Sequence, residues 1–518
     1  MTTAEALPMG NHTPYRGTAL ALITIALSLA TFMQVLDTSI ANVSLPTIAG
    51  DLGVSPQQGT WVITSFAVSN AIMLPLTGWL SRRFGEVRLF VTATLLFTLA
   101  SWACGLSSTL PMLLTFRVIQ GAVAGPMIPL SQTLLLSNYP PEKKGLALAL
   151  WSMTVVVAPI CGPIFGGWIS DNIGWPWIFY INVPIGLIAA YVTWMMLKDR
   201  ESERAKVPVD AVGLGLLIVG IGCLQVMLDK GNDLDWFGSN EIIVLTVIAA
   251  IALAFFIVWE LTDKHPVVDL TLFAHRNFAI GTIAITLGYL MFFSNAVIYP
   301  LWLQRTVGYT STWAGLAIAP IGVLPILLSP VVGRTINKVD ARIYVSIGFL
   351  VFGAVSYWTS HFNLQWDFEQ FAMPRFVQGI GVAFFFVPLT AILLSKLPPQ
   401  RIAAAAGLSN FLRMLGASFG TSISVTFWDR RQALHYSQLT EHVTPYSPAT
   451  TDALNQMHAL GMSQHSALAR IAHDILNQAY TMSINDFYWI SAIGFVILTA
   501  IVWFARPPFI ARGAGGAH

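Results

Sequence analysis

About fourteen separate stretches of this chain are long and apolar enough to cross a lipid bilayer, and nothing else in the sequence restricts the fold so strongly. A helix needs about 20 apolar residues to traverse about 30 Å of hydrocarbon. Runs that meet this requirement lie near 18–45, 59–80, 88–106, 111–137, 145–169, 176–197 and 209–229. They continue near 241–261, 278–303, 312–333, 342–360, 373–395, 402–427 and 484–505. The runs are continuous rather than alternating, which predicts helices and argues against an outer-membrane barrel. Composition agrees, since 10% charged residues over 518 positions cannot cover the surface of a soluble protein this large. The expected fold class is an all-α polytopic membrane protein with about 14 transmembrane helices.

Loop charge then orients the spans, because Lys and Arg are retained on the cytoplasmic side. With the N-terminus placed inside, nineteen of the 27 Lys and Arg fall on inner loops and tails, and five on outer loops. The remaining three, Arg117, Arg375 and Arg413, lie within spans. Both termini are therefore expected in the cytoplasm. The expected divisions are a tail (1–17), a six-helix bundle (18–197), a charged linker (198–208), two inserted helices (209–261) and an inner loop (262–277). A second six-helix bundle (278–505) with an outer loop (428–482) and a tail (506–518) complete the chain. The run after Arg16 is too long for a signal-peptide core, so it is expected to remain as the first span. A net charge of +2 provides no field for nucleic acid. Cys104, Cys161 and Cys223 sit in apolar runs without metal-ligand spacing and read as small buried hydrophobes. The outer loop, with a helix-like stretch near Gln464–Gln478, carries His435, His442, His465 and His473, whose spacing forms no zinc set, so they read as solvated. Its length suggests contact with a partner or a second copy.

The chain repeats itself. RVIQGAVAGPMIPL from Arg117 and RFVQGIGVAFFFVPL from Arg375 each place Gln and Gly three and four residues after the arginine. PLTGWLSRRFGEVR (75–88) echoes PVVGRTINKVDAR (330–342), and Thr60-Trp61 echoes Thr312-Trp313, all near one offset of about 255. Two halves share one plan, with two spans inserted between them. Parallel repeats of this kind place a substrate site at their interface.

An ionisable residue inside a span costs roughly 3 kcal/mol on insertion scales and is a functional candidate by default. Asp37 is the only acid well inside a span, whereas Asp210, Asp229 and Glu260 lie at span ends where water is expected to reach them. Burial opposes charge on such a carboxyl and a neighbouring arginine favours it. A group balanced in this way can take up and release a proton; the alternative is a permanently ionised structural pair. Arg117 and Gln120, from the same half, are the expected modulators. Arg375 reads as structural, and Arg413 either meets an anionic substrate or ties helices together. Candidate substrate contacts are the polar Gln34, Asn42, Asn70, Gln132, Asn295 and Asn410 and the aromatic Tyr289, Phe292, Phe293, Phe384 and Phe385. Phe386 belongs with this aromatic set, for which core packing is the alternative. No nucleotide-binding GxxxxGK[ST] or zinc-binding HExxH occurs, and GASFG (416–420) matches a nucleophile elbow only formally, inside a span. No enzymatic cofactor is expected.

LDTSIANVSLP (36–46), GWLSRRFGEVR (78–88), RVIQGAVAG (117–125) and APICGPIFGG (158–167) together resemble motifs of the major facilitator superfamily, in its fourteen-span drug:proton antiporter branch. The resemblance implies the major facilitator fold, with two six-helix repeats plus two extra central helices. It also implies proton coupling through Asp37 and gating by two segments. One is the inner loop with Gly78, Arg82, Arg83, Gly85, Glu86 and Arg88. The other is the fifth-span motif with Pro159, Gly162, Pro163, Gly166 and Gly167, whose alternative reading is helix packing alone. This chain has Arg82 where the family usually has an acid, so Glu86 is expected to supply it. The match extends from Ala21 nearly to the C-terminus, through TFMQVLD, QGTWVITSF, SWACG and YPPEKKGLALALWSM, and resembles the pumps of tripartite exporters. It implies export of hydrophobic toxic compounds or drugs driven by the proton gradient, from a Gram-negative inner membrane. A periplasmic adaptor and a TolC-type outer-membrane channel are the implied partners. Export of a single metabolite or siderophore, and a non-transporting sensor or scaffold, are the rival readings.

Overall fold

In a computed structural model of the protein, residues 14–509 are described except 206, 207, 209, 264, 265, 337 and 445. Most of the two expected tails thus lies outside the described residues, and so does part of the charged linker. Among the described residues the secondary structure is helical, without strands. The first half comprises α1 (Gly17–Asp51), α2 (Trp61–Met73) with α3 (Thr77–Phe84), α4 (Glu86–Gly105), α5 (Leu110–Asn138), α6 (Lys144–Asn172) and α7 (Asn182–Leu197). The inserted pair is α8 (Ala211–Lys230) and α9 (Asn240–Thr262). The second half comprises α10 (Arg276–Trp302), α11 (Thr312–Thr335), α12 (Ala341–Thr359), α13 (Phe368–Leu394), α14 (Ile402–Glu441), the short α15 (Pro448–Ala459) and α16 (Gln464–Val502). Among the described residues, twelve helices are long and apolar enough to cross a membrane. The α2–α3 pair, bent by 64°, brings the number to as many as thirteen, and α6 is apolar over its first sixteen residues, Lys144–Pro159.

Without a hydrophobic drive between helices in lipid, small residues must let backbones approach. At α1 against α6, a β-carbon on Gly162 would collide with Ser39, and one on Gly166 would lie 3.2 Å from the Ile40 carbonyl. The Ser39 hydroxyl donates to the Pro159 carbonyl (2.9 Å), fixing the pair laterally. The second half repeats the device at α10 against α14, where Gly416 and Gly420 face the carbonyls of Thr286 and Leu290. α8 is stitched to both halves. Lys230 donates to Thr60 (2.7 Å) and Thr64 to Asp229 on one side, while Gln225 donates to Ser418 (2.7 Å) and Ser422 to the Leu228 carbonyl on the other.

The described chain ends and the linker lie at one end of the bundle. Tyr15 donates to the Met196 carbonyl (2.7 Å), Asn277 to that of Arg506 (2.8 Å), and the Ala205 amide to that of Arg82 (2.9 Å). The two halves touch at this end. A β-carbon on Gly78 would lie 2.6 Å from that of Ala404, and one on Gly145 would strike the Gly333 carbonyl.

Four expectations are corrected here. The segment 428–482 is not one long loop with a single helical stretch: the helix expected near Gln464–Gln478 is the start of α16 at Gln464, but α14 also continues to Glu441, with α15 between them. An ion-paired cluster holds this extension together. Arg431 and His435 of α14 both meet Asp486 of α16, with His435 Nε2 at 2.8 Å. His435 is therefore buried rather than solvated, whereas His442, His465 and His473 are exposed. Glu260 is likewise buried and accepts the Val268 amide (3.0 Å), because the chain after α9 folds back over it. Cys104 is buried as expected, but Cys161 and Cys223 are only half-buried.

Candidate functional site

Asp37 lies in the middle of α1 and is 2% exposed; Arg117, on α5, is 0% exposed. Arg117 Nη1 donates to Asp37 Oδ2 at 2.7 Å. The other carboxylate oxygen, Oδ1, accepts from Gln120 Nε2 (3.1 Å) and from Asn182 Nδ2 (2.8 Å). Arg117 and Gln120 are one helical turn apart, so both reach the same point on α1. Arg117 Nη1 also donates to Gln120 Oε1 (2.7 Å), and its Nε donates to the Val62 carbonyl (3.0 Å). The guanidinium lies 4.3 Å from the ring centre of Phe66 and 5.6 Å from that of Phe179. The carboxylate thus has a charged partner and two amide donors, in a setting where either ion alone would be costly.

The structure brings Asp37, Arg117 and Gln120 into one network and adds Asn182 and Ser101, which sequence reasoning missed. Asn182 opens α7, and its amide donates to Ser101 (2.9 Å) as well as to Asp37. The available signal was polarity, since both are amide or hydroxyl residues in otherwise apolar stretches. Cys104 closes the network with its thiol 3.7 Å from Gln120 Oε1. Gln34, one turn before Asp37, is buried with its Oε1 lacking a protein partner. Asn42 instead lies exposed, apart from this network.

The aromatic candidates divide. Tyr289 stacks on Phe293 (5.1 Å) and meets Phe386 edge-on (5.2 Å), while Arg413 stands 4.7 Å above the Tyr289 ring. Phe385 fills the notch left by Gly288 and packs on Phe349 and Phe352, so it is core rather than a lining residue. Phe384 packs on Tyr344 (5.4 Å). Phe292 and Asn295 line a narrow cavity together with Tyr299, Arg375 and Gln378. Asn70 spans the two halves, its amide 3.8 Å from Met414 Sδ. Gln132 is buried, and Asn410 is committed to its own helix through the Ala406 carbonyl (2.8 Å).

At the terminus-bearing end, the acid serving the α3–α4 turn is not Glu86. Among the described residues Glu86 makes no ion pair; its backbone amide donates to Ser202 (2.9 Å). Glu201, from the linker, accepts the amides of Val87 and Arg88 (2.9 Å each) and faces Arg88 Nε at 3.9 Å. These are free N–H groups in the first turn of α4, where a carboxylate is favoured. Gly85 permits the approach: its φ is +89°, and a side chain there would overlap Glu201. Arg82 is exposed and donates to the Gly78 carbonyl (3.3 Å), while Arg83 lies over Trp79 (5.4 Å). α6 runs unbroken through Pro159; a β-carbon on Gly167 would meet nothing within 4 Å, and the Pro163 side chain lies outside the described residues.

A doubled six-helix plan, sealed at one end and carrying a buried carboxylate–guanidinium pair, defines a membrane transporter rather than an enzyme. The chain belongs to the Major Facilitator Superfamily, whose family model matches residues 27–421. It is 56% identical over 512 residues to the "Multidrug export protein EmrB" of Escherichia coli (strain K12), covering 98% of this chain and 100% of that protein. It is 51% identical over 508 residues to the "Fatty acid resistance protein FarB" of Neisseria gonorrhoeae, again covering 98% and 100%. Among solved structures, the proton:xylose symporter XylE aligns with a TM-score of 0.59 at 15% identity, over 94% of this chain and 96% of that one. That likeness concerns the fold.

Proposed function

We propose that this protein is a proton-coupled antiporter that exports hydrophobic toxic compounds or drugs, with Asp37 as the group that exchanges the proton. The observation that carries the reading is the 2.7 Å contact between Asp37 and Arg117 within the membrane-spanning bundle. Protonation of Asp37 removes the charge that holds Arg117, so the pair is a bistable element that a proton can bias. Binding of substrate at the interface of the halves and binding of the proton then oppose each other reciprocally, as linkage requires. Closure of the terminus-bearing end through Gly78–Ala404 and Gly145–Gly333 gives the two halves a contact to break and remake during alternation. A proton moving through about 100 mV supplies about 2.3 kcal/mol, enough for about a fifty-fold gradient of a neutral compound.

Near full-length similarity to EmrB supports a Gram-negative inner-membrane location, and the bias of basic residues supports cytoplasmic termini. On the same reading, an EmrA-like periplasmic adaptor and a TolC-type outer-membrane channel are the partners. The α14–α16 extension, with Tyr446 and Leu460 exposed, is the segment we assign to contact with them. The test is uptake into proteoliposomes under an imposed pH gradient, using a panel of unrelated hydrophobic compounds. Gradient-driven accumulation of several of them is expected; accumulation of a single metabolite, or of none, overturns the proposal.

A further inference from the structure

The second half contains a counterpart of the Asp37 site with its acid replaced. Asp37 precedes Arg117 by 80 residues and Gln120 by 83. Asn295 precedes Arg375 and Gln378 by the same intervals. The geometry is also shared: Arg375 Nη1 donates to Gln378 Oε1 (2.6 Å) as Arg117 does to Gln120, and Arg375 lies over Tyr299 (4.1 Å) as Arg117 lies over Phe66. Arg375 is 3% exposed, yet its other polar neighbours are neutral hydroxyls, those of Thr359 and Tyr488 (3.2 and 3.1 Å) and of Tyr299. Among the described residues no carboxylate lies within ion-pair distance of it. Its Nε has no hydrogen-bond partner in the protein, and neither end of the Asn295 amide has one, although Asn295 is 1% exposed.

A buried guanidinium without a counter-charge, facing unused amide groups, is a costly arrangement that an anion would relieve. These groups line one cavity whose rim includes the exposed Ala296 and whose wall includes Phe292 and Ile321. We propose that this cavity is a binding site for a monoanion, with Arg375 supplying the charge and the Asn295 amide a hydrogen bond. The shared chemistry is a single negative charge, and a cavity of about 20 Å³ admits either a free halide or the carboxylate head of a small acid whose body stays outside the rim. The proposal does not depend on Asp37 carrying the coupled proton.

The experiment is calorimetric titration of the purified full-length protein, in a sulfate background, with benzoate, with its neutral analogue benzamide, and with chloride. Benzoate binding without benzamide binding identifies an organic carboxylate as the occupant, and chloride binding alone identifies a halide. In either case Asn295→Asp, which builds into the second half the acid that the first half has, is expected to weaken anion binding by at least about tenfold. That variant supplies Arg375 with an internal counter-charge, so its thermal stability should match or exceed the wild type, which separates lost binding from lost folding. Arg375→Gln should weaken binding similarly, and Asp37→Asn should leave it intact. The inference is overturned if neither anion binds the wild type, or if binding persists unchanged in a folded Asn295→Asp protein. Failure of anion binding in a protein that still exports drugs under a proton gradient would count against this site alone.

Discussion

Replacing Asp37 by Asn separates the structural role of the buried pair from its role in coupling. The carboxylate accepts three hydrogen bonds, one from a guanidinium that is wholly buried. Asn keeps one acceptor oxygen but presents an NH2 in place of the other, and Arg117 loses its counter-charge. Removing one partner of a buried pair costs about 3–5 kcal/mol. At about 1.4 kcal/mol per decade, this corresponds to roughly two to three and a half orders of magnitude in any equilibrium that keeps Arg117 in this setting. Asp37→Asn should therefore unfold at a lower temperature in detergent and lose uphill transport. The double variant Asp37→Asn, Arg117→Gln removes both charges, and replacing a buried pair by neutral groups is often close to neutral. Its thermal stability should return most of the way to wild type while proton-driven accumulation in proteoliposomes stays absent. Downhill movement of substrate should survive in that protein. If the double variant accumulates drug against a gradient as wild type does, or if the single variant loses no stability, the reasoning is wrong.

Three further outcomes are expected. Asn182→Ala removes a donor from the charged form of Asp37, a loss of about 1.5–3 kcal/mol, so half-maximal substrate-induced proton release should move to more alkaline pH; an unmoved profile removes Asn182 from the site. Glu201→Ala leaves the Val87 and Arg88 amides without their carboxylate, which should cost about 0.5–2 kcal/mol and speed hydrogen exchange at the start of α4; unchanged exchange there would contradict the capping role. Gly78→Val places branched carbons where a β-carbon already lies 2.6 Å from Ala404, so the sealed end should open and cysteines introduced beside it should label faster; slower labelling would show that this contact does not seal the bundle.

The number of spans and the two-half plan were legible because each rests on local regularities: apolar run length, loop charge and repeated motifs. Asp37 was legible because a lone acid in an apolar run stands out. Its pairing with Arg117 and Gln120 could be inferred because those residues lie one turn apart in the same half. Asn182 and Ser101 escaped because neutral polar residues occur throughout these helices, and only three-dimensional packing shows which of them converge. Glu201 escaped for a different reason: it acts from a segment that reads only as a charged linker, and Gly85 admits it through a backbone conformation that sequence does not display. The stretch near Gln464–Gln478 already reads as helix-like, whereas the 428–441 segment reads as loop because its polarity is that of a solvated surface. The contacts of Arg431 and His435 with Asp486 support helix there instead. Phe385 shows the limit for aromatic residues, since pocket lining and core packing require the same side chain.

The central claim is that one carboxyl group links drug binding to proton movement. Its most direct test is the release of protons from purified protein in weakly buffered detergent solution when substrate is added. Wild type is expected to release protons in proportion to substrate bound, and Asp37→Asn is expected to bind substrate without releasing any. Equal proton release by the two proteins would contradict the claim.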